Sequence, residues 1–202
     1  YLQAEPCHRK GLSIVSLFDE SVPARLEGDS TKIRQVVMNL ISNAIKFTLE
    51  GRVSVIVSTV SDHEDTNSVT LSIAVKDTGI GMSKEAQAKV FEAFTQADTS
   101  TTRQYGGTGL GLTISRQYVE LMHGSISLNS EPGKGSCFTI LLPLRKSSSV
   151  TPVRRDLRGA TAVLLCEDQG TADMVASHLA RLGARTMVLE EESALGRSLT
   201  PD

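Results

Sequence analysis

Asn39, Asn43 and Lys46 stand at i, i+4 and i+7, which brings two neutral amides and one ammonium onto one side of a helix. Amide oxygens are hard donors that Mg2+ accepts together with phosphates and waters, and a lysine beside them can hold a phosphate as a point charge. Taken alone, this ladder also fits an ordinary solvated helix face. A second group is VKDTGIGM, Val75 to Met82. Asp77 there can accept a hydrogen bond from an exocyclic amine such as adenine N6, while Gly79 and Gly81 let the backbone pass close to a flat ring. A plain strand-ending turn would use the same Asp-Thr-Gly. A third group, RQYGGTGLGLTISRQYVELM, packs four glycines into six positions just ahead of a helical pattern. Bare backbone before a helix start lets main-chain N–H groups approach an anion. It is not a dinucleotide fingerprint, because Ile114 occupies the third glycine's place, and it is not a Walker A loop, because it holds no lysine.

The elements that must carry these groups can be read from periodicity. Leu12 to Leu17 reads as a strand, and Asp29 or Ser30 offers a helix N-cap. Ile33, Val36, Val37, Leu40, Ile41 and Ala44 then recur at helical spacing and define a buried face opposite the amide ladder. Val53 to Val60 and Val69 to Lys76 alternate as a hairpin joined by the polar loop SDHEDTNS. In FEAFTQAD, Phe91 and Phe94 are expected in the core. The following TSTTRQYGG is polar and rich in hydroxyls, as a mobile lid would be. GSISLNS and GSCFTILLPL form a second expected hairpin around EPGKG.

Beyond it the composition turns polar and basic in RKSSSVTPVRRDLRG, which reads as a linker. The strand of ATAVLLCEDQ, a helical pattern through Leu182 and the strand of ARTMVLE begin an α/β unit. That tail is far shorter than the roughly 100 residues of a typical domain. The expected organisation is therefore a main domain over 1–145, a linker over 146–158 and an incomplete α/β segment over 159–202.

Composition narrows the partners. A net charge of −2 over 202 residues, with no dense basic run and no tryptophan, argues against DNA or RNA. Cys7, Cys137 and Cys166 are dispersed and odd in number, so neither a disulfide framework nor a CxxC metal site is expected, and a reducing, cytoplasmic setting fits. His8, His63, His123 and His178 lack a second histidine at i+3 or i+4 and build no metal site. No apolar run is long enough to cross a bilayer, and no membrane contact is expected of this chain. It starts at Tyr1 and reads as part of a longer protein that could itself be membrane-anchored.

Taken in order, the groups resemble the ATP-binding catalytic domain of sensor histidine kinases, in the superfamily shared with DNA gyrase and mismatch-repair ATPases. NLISNAIKF (Asn39 to Phe47) resembles the N box, DTGIG (Asp77 to Gly81) the first glycine box, FEAF (Phe91 to Phe94) the F box, and GGTGLGL (Gly106 to Leu112) the second glycine box. The resemblance implies a two-layer α/β sandwich, a mixed sheet with helices on one face. It assigns Asp77 to the adenine amine, Asn43 to Mg2+, Lys46 to phosphate and Phe47 to the base or ribose. Asn39, Gly79 and Gly81 join the same site. Gly107, Thr108, Gly109, Leu110, Gly111 and Leu112 would wrap the triphosphate, and Thr139 would support the adenine site through water.

In gyrase-like hydrolases the resemblance places a glutamate base where this chain has Asn39, and an amide is a poor base, so free ATP hydrolysis is expected to be slow. The implied reaction is γ-phosphoryl transfer from Mg-ATP to a histidine on a dimerisation domain outside this chain. His8 lacks the sequence pattern of that acceptor. AVLLCEDQ resembles the first strand of a response-regulator receiver domain, with Glu167 and Asp168 as its Mg2+ residues. That implies a hybrid kinase in a phosphorelay, with a receiver domain or response regulator as partner. The competing readings are a nucleotide-sensing pseudokinase module and, less favoured, a gyrase-type hydrolase.

Overall fold

The computed structural model describes residues 10–19, 21–63, 67–94, 109–147, 157–165 and 169–189. Cys7, His8, Gly107, Thr108, the lid segment around them, Cys166, Glu167 and Asp168 lie outside the described residues.

Strand β1 (Ser13–Phe18) is followed by the short β2 (Leu26–Glu27) and then by helix α1 (Ser30–Phe47). The helix starts where the sequence offers a cap: the Asp29 side chain accepts the N–H groups of Thr31 and Lys32, two of the donors a helix start leaves unpaired. The Lys32 ammonium bonded to that carboxylate holds the Asp29 pKa below its ordinary value. Strands β3 (Arg52–His63) and β4 (Ser68–Asp77) pair antiparallel with Val53 opposite Asp77 and Val57 opposite Ile73. β3 runs through Ser61, Asp62 and His63, so the hairpin reaches into the stretch expected to be loop, past a register shift between Thr59 and Ser61. Backbone pairing does not require apolar side chains, and the polar residues at an exposed hairpin end gave no alternation to read.

After the one-and-a-half-turn α2 (Lys84–Lys89) come α3 (Gly111–Leu121), β5 (Ser125–Glu131) and β6 (Gly135–Lys146). The sheet runs β1-β3-β4-β6-β2, with β5 also paired to β6. β1 lies parallel to β3 and the other pairings are antiparallel, so the sheet is mixed, as expected. One face carries Val53, Val57, Leu71, Ile73, Val75, Phe138, Ile140 and Leu142, against which α1 sets Val36, Leu40, Ala44 and Ile45 and α3 sets Val119. Leu40 and Ile140 are each 1% exposed. Burial of a side chain of that kind contributes roughly 1.5–3 kcal/mol. This core leaves the amide ladder of α1 on the other side of the helix.

The F box divides. Phe91 packs edge-on against Phe138 with ring centroids 6.2 Å apart, but Phe94 is 76% exposed with φ of +61°. The expectation that both are core is corrected: α2 ends at Lys89, so the i, i+3 relation no longer places the two rings on one helical face. In the tail, β7 (Thr161–Leu165), α4 (Gln169–Arg181) and β8 (Arg185–Leu189) form a parallel βαβ unit. Helix α4 packs on β1, where Met174 Sδ accepts the Ser16 N–H at 3.4 Å and His178 meets the Phe18 ring edge-on at 5.9 Å. Among the described residues, no helix is long and apolar enough to cross a membrane.

Candidate functional site

Asp77 ends β4 at 5% exposure, on the face of the sheet that carries Val75 and the core. Its Oδ1 accepts the Gly79 N–H at 2.9 Å and the Ser136 N–H at 3.2 Å. Among the described residues nothing donates to Oδ2, so the carboxylate is oriented through one oxygen and offers the other. Burial pushes the Asp77 pKa up, while the two backbone donors pull it back down. A half-satisfied, oriented carboxylate suits an amine donor.

The loop after Asp77 is fixed from both sides. The Ile80 N–H donates to the Phe47 carbonyl at 3.3 Å, and Gly79 approaches that carbonyl so closely that a Cβ would overlap it. On the other side the Met82 N–H donates to Ser130 Oγ at 2.8 Å, and Ser130 in turn donates to the Gly135 carbonyl at 2.9 Å. Ser136 Oγ lies 3.0 Å from Ser130 Oγ. With the Ser130 proton engaged by Gly135, the Ser136 hydroxyl is the donor of that last pair. Gly81 takes φ of +66° with no room for a Cβ beside the Glu131 carbonyl.

The other end of the site is where α1 meets α3. Asn39 Nδ2 donates to Ser115 Oγ at 2.9 Å, and a Cβ on Gly111 would collide with the Asn39 amide. Thr113 Oγ1 donates to the Phe91 carbonyl at 3.1 Å, which ties the same turn to the F box. Gly109, at φ of +71°, and Leu110 lead into α3, whose N-terminus has no side-chain cap and no acidic residue in its first turn. Among the described residues no side chain caps its first N–H groups, which with the positive end of the helix suit an anion.

Between the two ends runs the polar face of α1. Asn39 touches α3 and Phe47 touches the Asp77 loop, eight residues or about 12 Å of helix apart, with Asn43 and Lys46 between them. The Asn43 amide has no hydrogen-bond partner among the described residues. The Lys46 ammonium stands 4.8 Å from the centre of the Phe47 ring, and its partial desolvation lowers its pKa. An oriented carboxylate at one end, an amide and an ammonium in the middle and an uncapped helix start at the other match a nucleoside triphosphate end to end. The close packing of Gly79 and Gly111 shows why both positions are bare. Among the described residues no cluster of three His, Cys, Asp or Glu side chains could hold a metal by itself, so a cation here would share its ligands with phosphate.

Asn39, Asn43, Lys46, Phe47, Asp77, Gly79, Gly81, Gly109, Leu110, Gly111 and Leu112 lie on this one face or its two end loops. Thr139 does not. It pairs with Ala74 on β4, one residue out of phase with Phe138 opposite Val75, so it points to the face away from Asp77. The position beside Asp77 belongs to Ser136, with Ser130 behind it, and neither was singled out from sequence. Counting in twos from Phe138 would have found Ser136, because the strand period places it on the core face.

A profile of the family described as histidine kinase-, DNA gyrase B-, and HSP90-like ATPase matches residues 28–146. The sensor histidine kinase GacS of Pseudomonas protegens is 47% identical over 144 residues, covering 71% of this chain and 16% of that protein. The sensor histidine kinase RcsC of Salmonella typhimurium is 36% identical over 185 residues, covering 90% of this chain and 19% of its own length. The chain thus spans less than a fifth of either relative. Among solved structures, full-length ShkA in complex with AMPPNP superposes with a TM-score of 0.73 at 29% identity, covering 96% of this chain and 39% of ShkA. The nucleotide-free catalytic domain of histidine kinase ThkA superposes at 0.55 with 26% identity, covering 72% of this chain and 87% of that domain.

Proposed function

Because the chain belongs to the histidine kinase-, DNA gyrase B-, and HSP90-like ATPase family, we propose that it positions Mg-ATP for transfer of the γ-phosphoryl group to a histidine of a separate dimerisation domain. Asp77 Oδ2 accepts the adenine amine, Lys46 and the uncapped start of α3 hold the phosphates, and the Asn43 oxygen is a ligand for Mg2+. The cation would neutralise charge on the phosphate oxygens. In the transfer, a nitrogen of the acceptor imidazole attacks the γ-phosphorus, an N–P bond forms, the bond to the bridging oxygen breaks and ADP leaves. This chain's share is orientation and electrostatics rather than proton transfer.

The observation that carries this reading is the Asp77 carboxylate, buried, held through Oδ1 by two backbone donors and, among the described residues, open at Oδ2. Asn39 favours transfer over hydrolysis: its NH2 group is committed to Ser115, and among the described residues no carboxylate takes its place as a base for water. Relatives named sensor histidine kinases support the same choice.

The β7-α4-β8 unit is read as the start of a receiver domain. Supporting this are its parallel βαβ order and matches to RcsC and full-length ShkA that extend over most of the chain. On this reading Glu167 and Asp168 would serve a receiver Mg2+ site, and the whole protein would be a hybrid kinase acting in the cytoplasm, with a receiver or response regulator as its partner. The test is calorimetric titration with ATP in the presence and absence of Mg2+, followed by addition of the acceptor domain and detection of phosphohistidine. Saturable, Mg2+-assisted binding with transfer is expected. Absence of binding at millimolar ATP would refute the reading.

A further inference from the structure

Every carbonyl of the last turn of α1 can be accounted for, and the accounting leads to a residue outside the four boxes. Ala44 O accepts the Thr48 N–H at 3.1 Å and the Thr48 hydroxyl at 2.7 Å. Phe47 O accepts the Ile80 N–H. The remaining carbonyls are taken by one ammonium: Lys10 Nζ donates to Ile45 O at 2.8 Å, to Lys46 O at 3.2 Å and to Thr48 O at 3.3 Å. A cation there also meets the negative end of the helix. Lys10 is not loosely placed. Gly11 turns the chain at φ of +64°, Leu12 is 6% exposed in the core, and the Ser13 N–H bonds to Gly51 O at 3.1 Å.

We propose that Lys10 is a positioning residue of the nucleotide site. Its ammonium clamps the turn that carries Lys46 and that offers Phe47 O to the loop behind Asp77. Lys46, which faces the phosphates, and the loop at the adenine end are thereby held at a fixed separation by a residue that precedes the sheet. The inference rests on the ATP-binding reading above. Lys10 acts through α1 and touches no part of the nucleotide. Lys10 is exposed and makes no part of the apolar core, and of its three bonds the one to Lys46 O is exposed while those to Ile45 O and Thr48 O are part-buried, so removing its charge loosens the last turn while the core packing is kept. Substrate binding would then suffer more than stability.

The experiment compares the wild-type chain with Lys10→Met and Lys10→Arg by calorimetry with Mg-ATP, thermal melting and amide hydrogen exchange. Lys10→Met is expected to bind Mg-ATP about tenfold more weakly, in line with loss of charge-assisted bonds that order a binding surface. Its melting temperature should hold, and exchange should quicken at Lys46, Phe47, Thr48 and Ile80. Lys10→Arg, which keeps the charge and several donors, should restore most of the affinity. Faster exchange with unchanged affinity in Lys10→Met would reduce Lys10 to a helix cap and overturn the inference. So would unchanged exchange, or failure of Lys10→Arg to rescue. Failure of the wild-type chain itself to bind would instead sink the nucleotide reading.

Discussion

Replacing Asp77 by asparagine changes one atom of consequence. The Asn oxygen can occupy the place of Oδ1 and keep both backbone donors, Gly79 N at 2.9 Å and Ser136 N at 3.2 Å, so the loop stays where it is. In place of Oδ2 stands an NH2 group, which turns a donor toward the adenine amine, itself a donor. The loss combines a charge-assisted hydrogen bond with an unsatisfied donor pair, together about 2–3 kcal/mol, or about 30- to 150-fold in ATP affinity. Inosine triphosphate presents a carbonyl oxygen at the same ring position, so Asp77→Asn should bind it better than ATP, reversing the wild-type order. The assay is calorimetric titration of both proteins with both nucleotides at one Mg2+ concentration. Equal loss toward the two nucleotides, or wild-type affinity for ATP, would show that Asp77 does not face the base and would refute the assignment.

Asn43→Ala should remove the Mg2+-dependent part of ATP affinity and leave metal-free binding as it was; titrations with Mg2+ and with EDTA check this, and equal loss in both contradicts the ligand role. Gly81→Ala forces a side chain into φ of +66° against the Glu131 carbonyl. It should destabilise the fold by about 2–4 kcal/mol in urea melts, with loss of nucleotide binding. The raised pKa of Asp77 has a pH signature as well. The folded state holds this proton to higher pH than the unfolded state, so the group's contribution to stability is full below its unfolded value of 3.8 and is lost as pH rises through the higher folded value. Nucleotide-free Asp77→Asn should therefore melt above wild type at pH 7, and the gap should narrow as pH falls; a gap that is flat or widens toward acid would show that burial of the charge is not what shifts the group.

Much of the site was legible because its ingredients are local. The i, i+4, i+7 spacing of Asn39, Asn43 and Lys46 needs only a helix, and Asp29 caps that helix where the sequence offered it. The order of the boxes identified the family that residues 28–146 match. Thr139 failed because its side was not counted along the strand, and Phe94 failed because α2 stops at Lys89. Residue type suggested a role in both cases, and backbone geometry withheld it.

The sequence by itself determined the longer helices and strands, though not β2 or α2, together with the two hairpins and the apolar face of α1, because each follows from a period of 3.6 or 2 within a short window. It also singled out residues whose chemistry would suit adenine, phosphate and Mg2+. Only the tertiary structure decided which of them meet. Ser136 lies 59 residues from the Asp77 it orients, Ser115 lies 76 from Asn39, and Lys10 lies 35 from the Ile45 carbonyl it caps. Such contacts depend on how strands register and helices cross, which is set by the packing of the whole core and leaves no periodic trace at either partner.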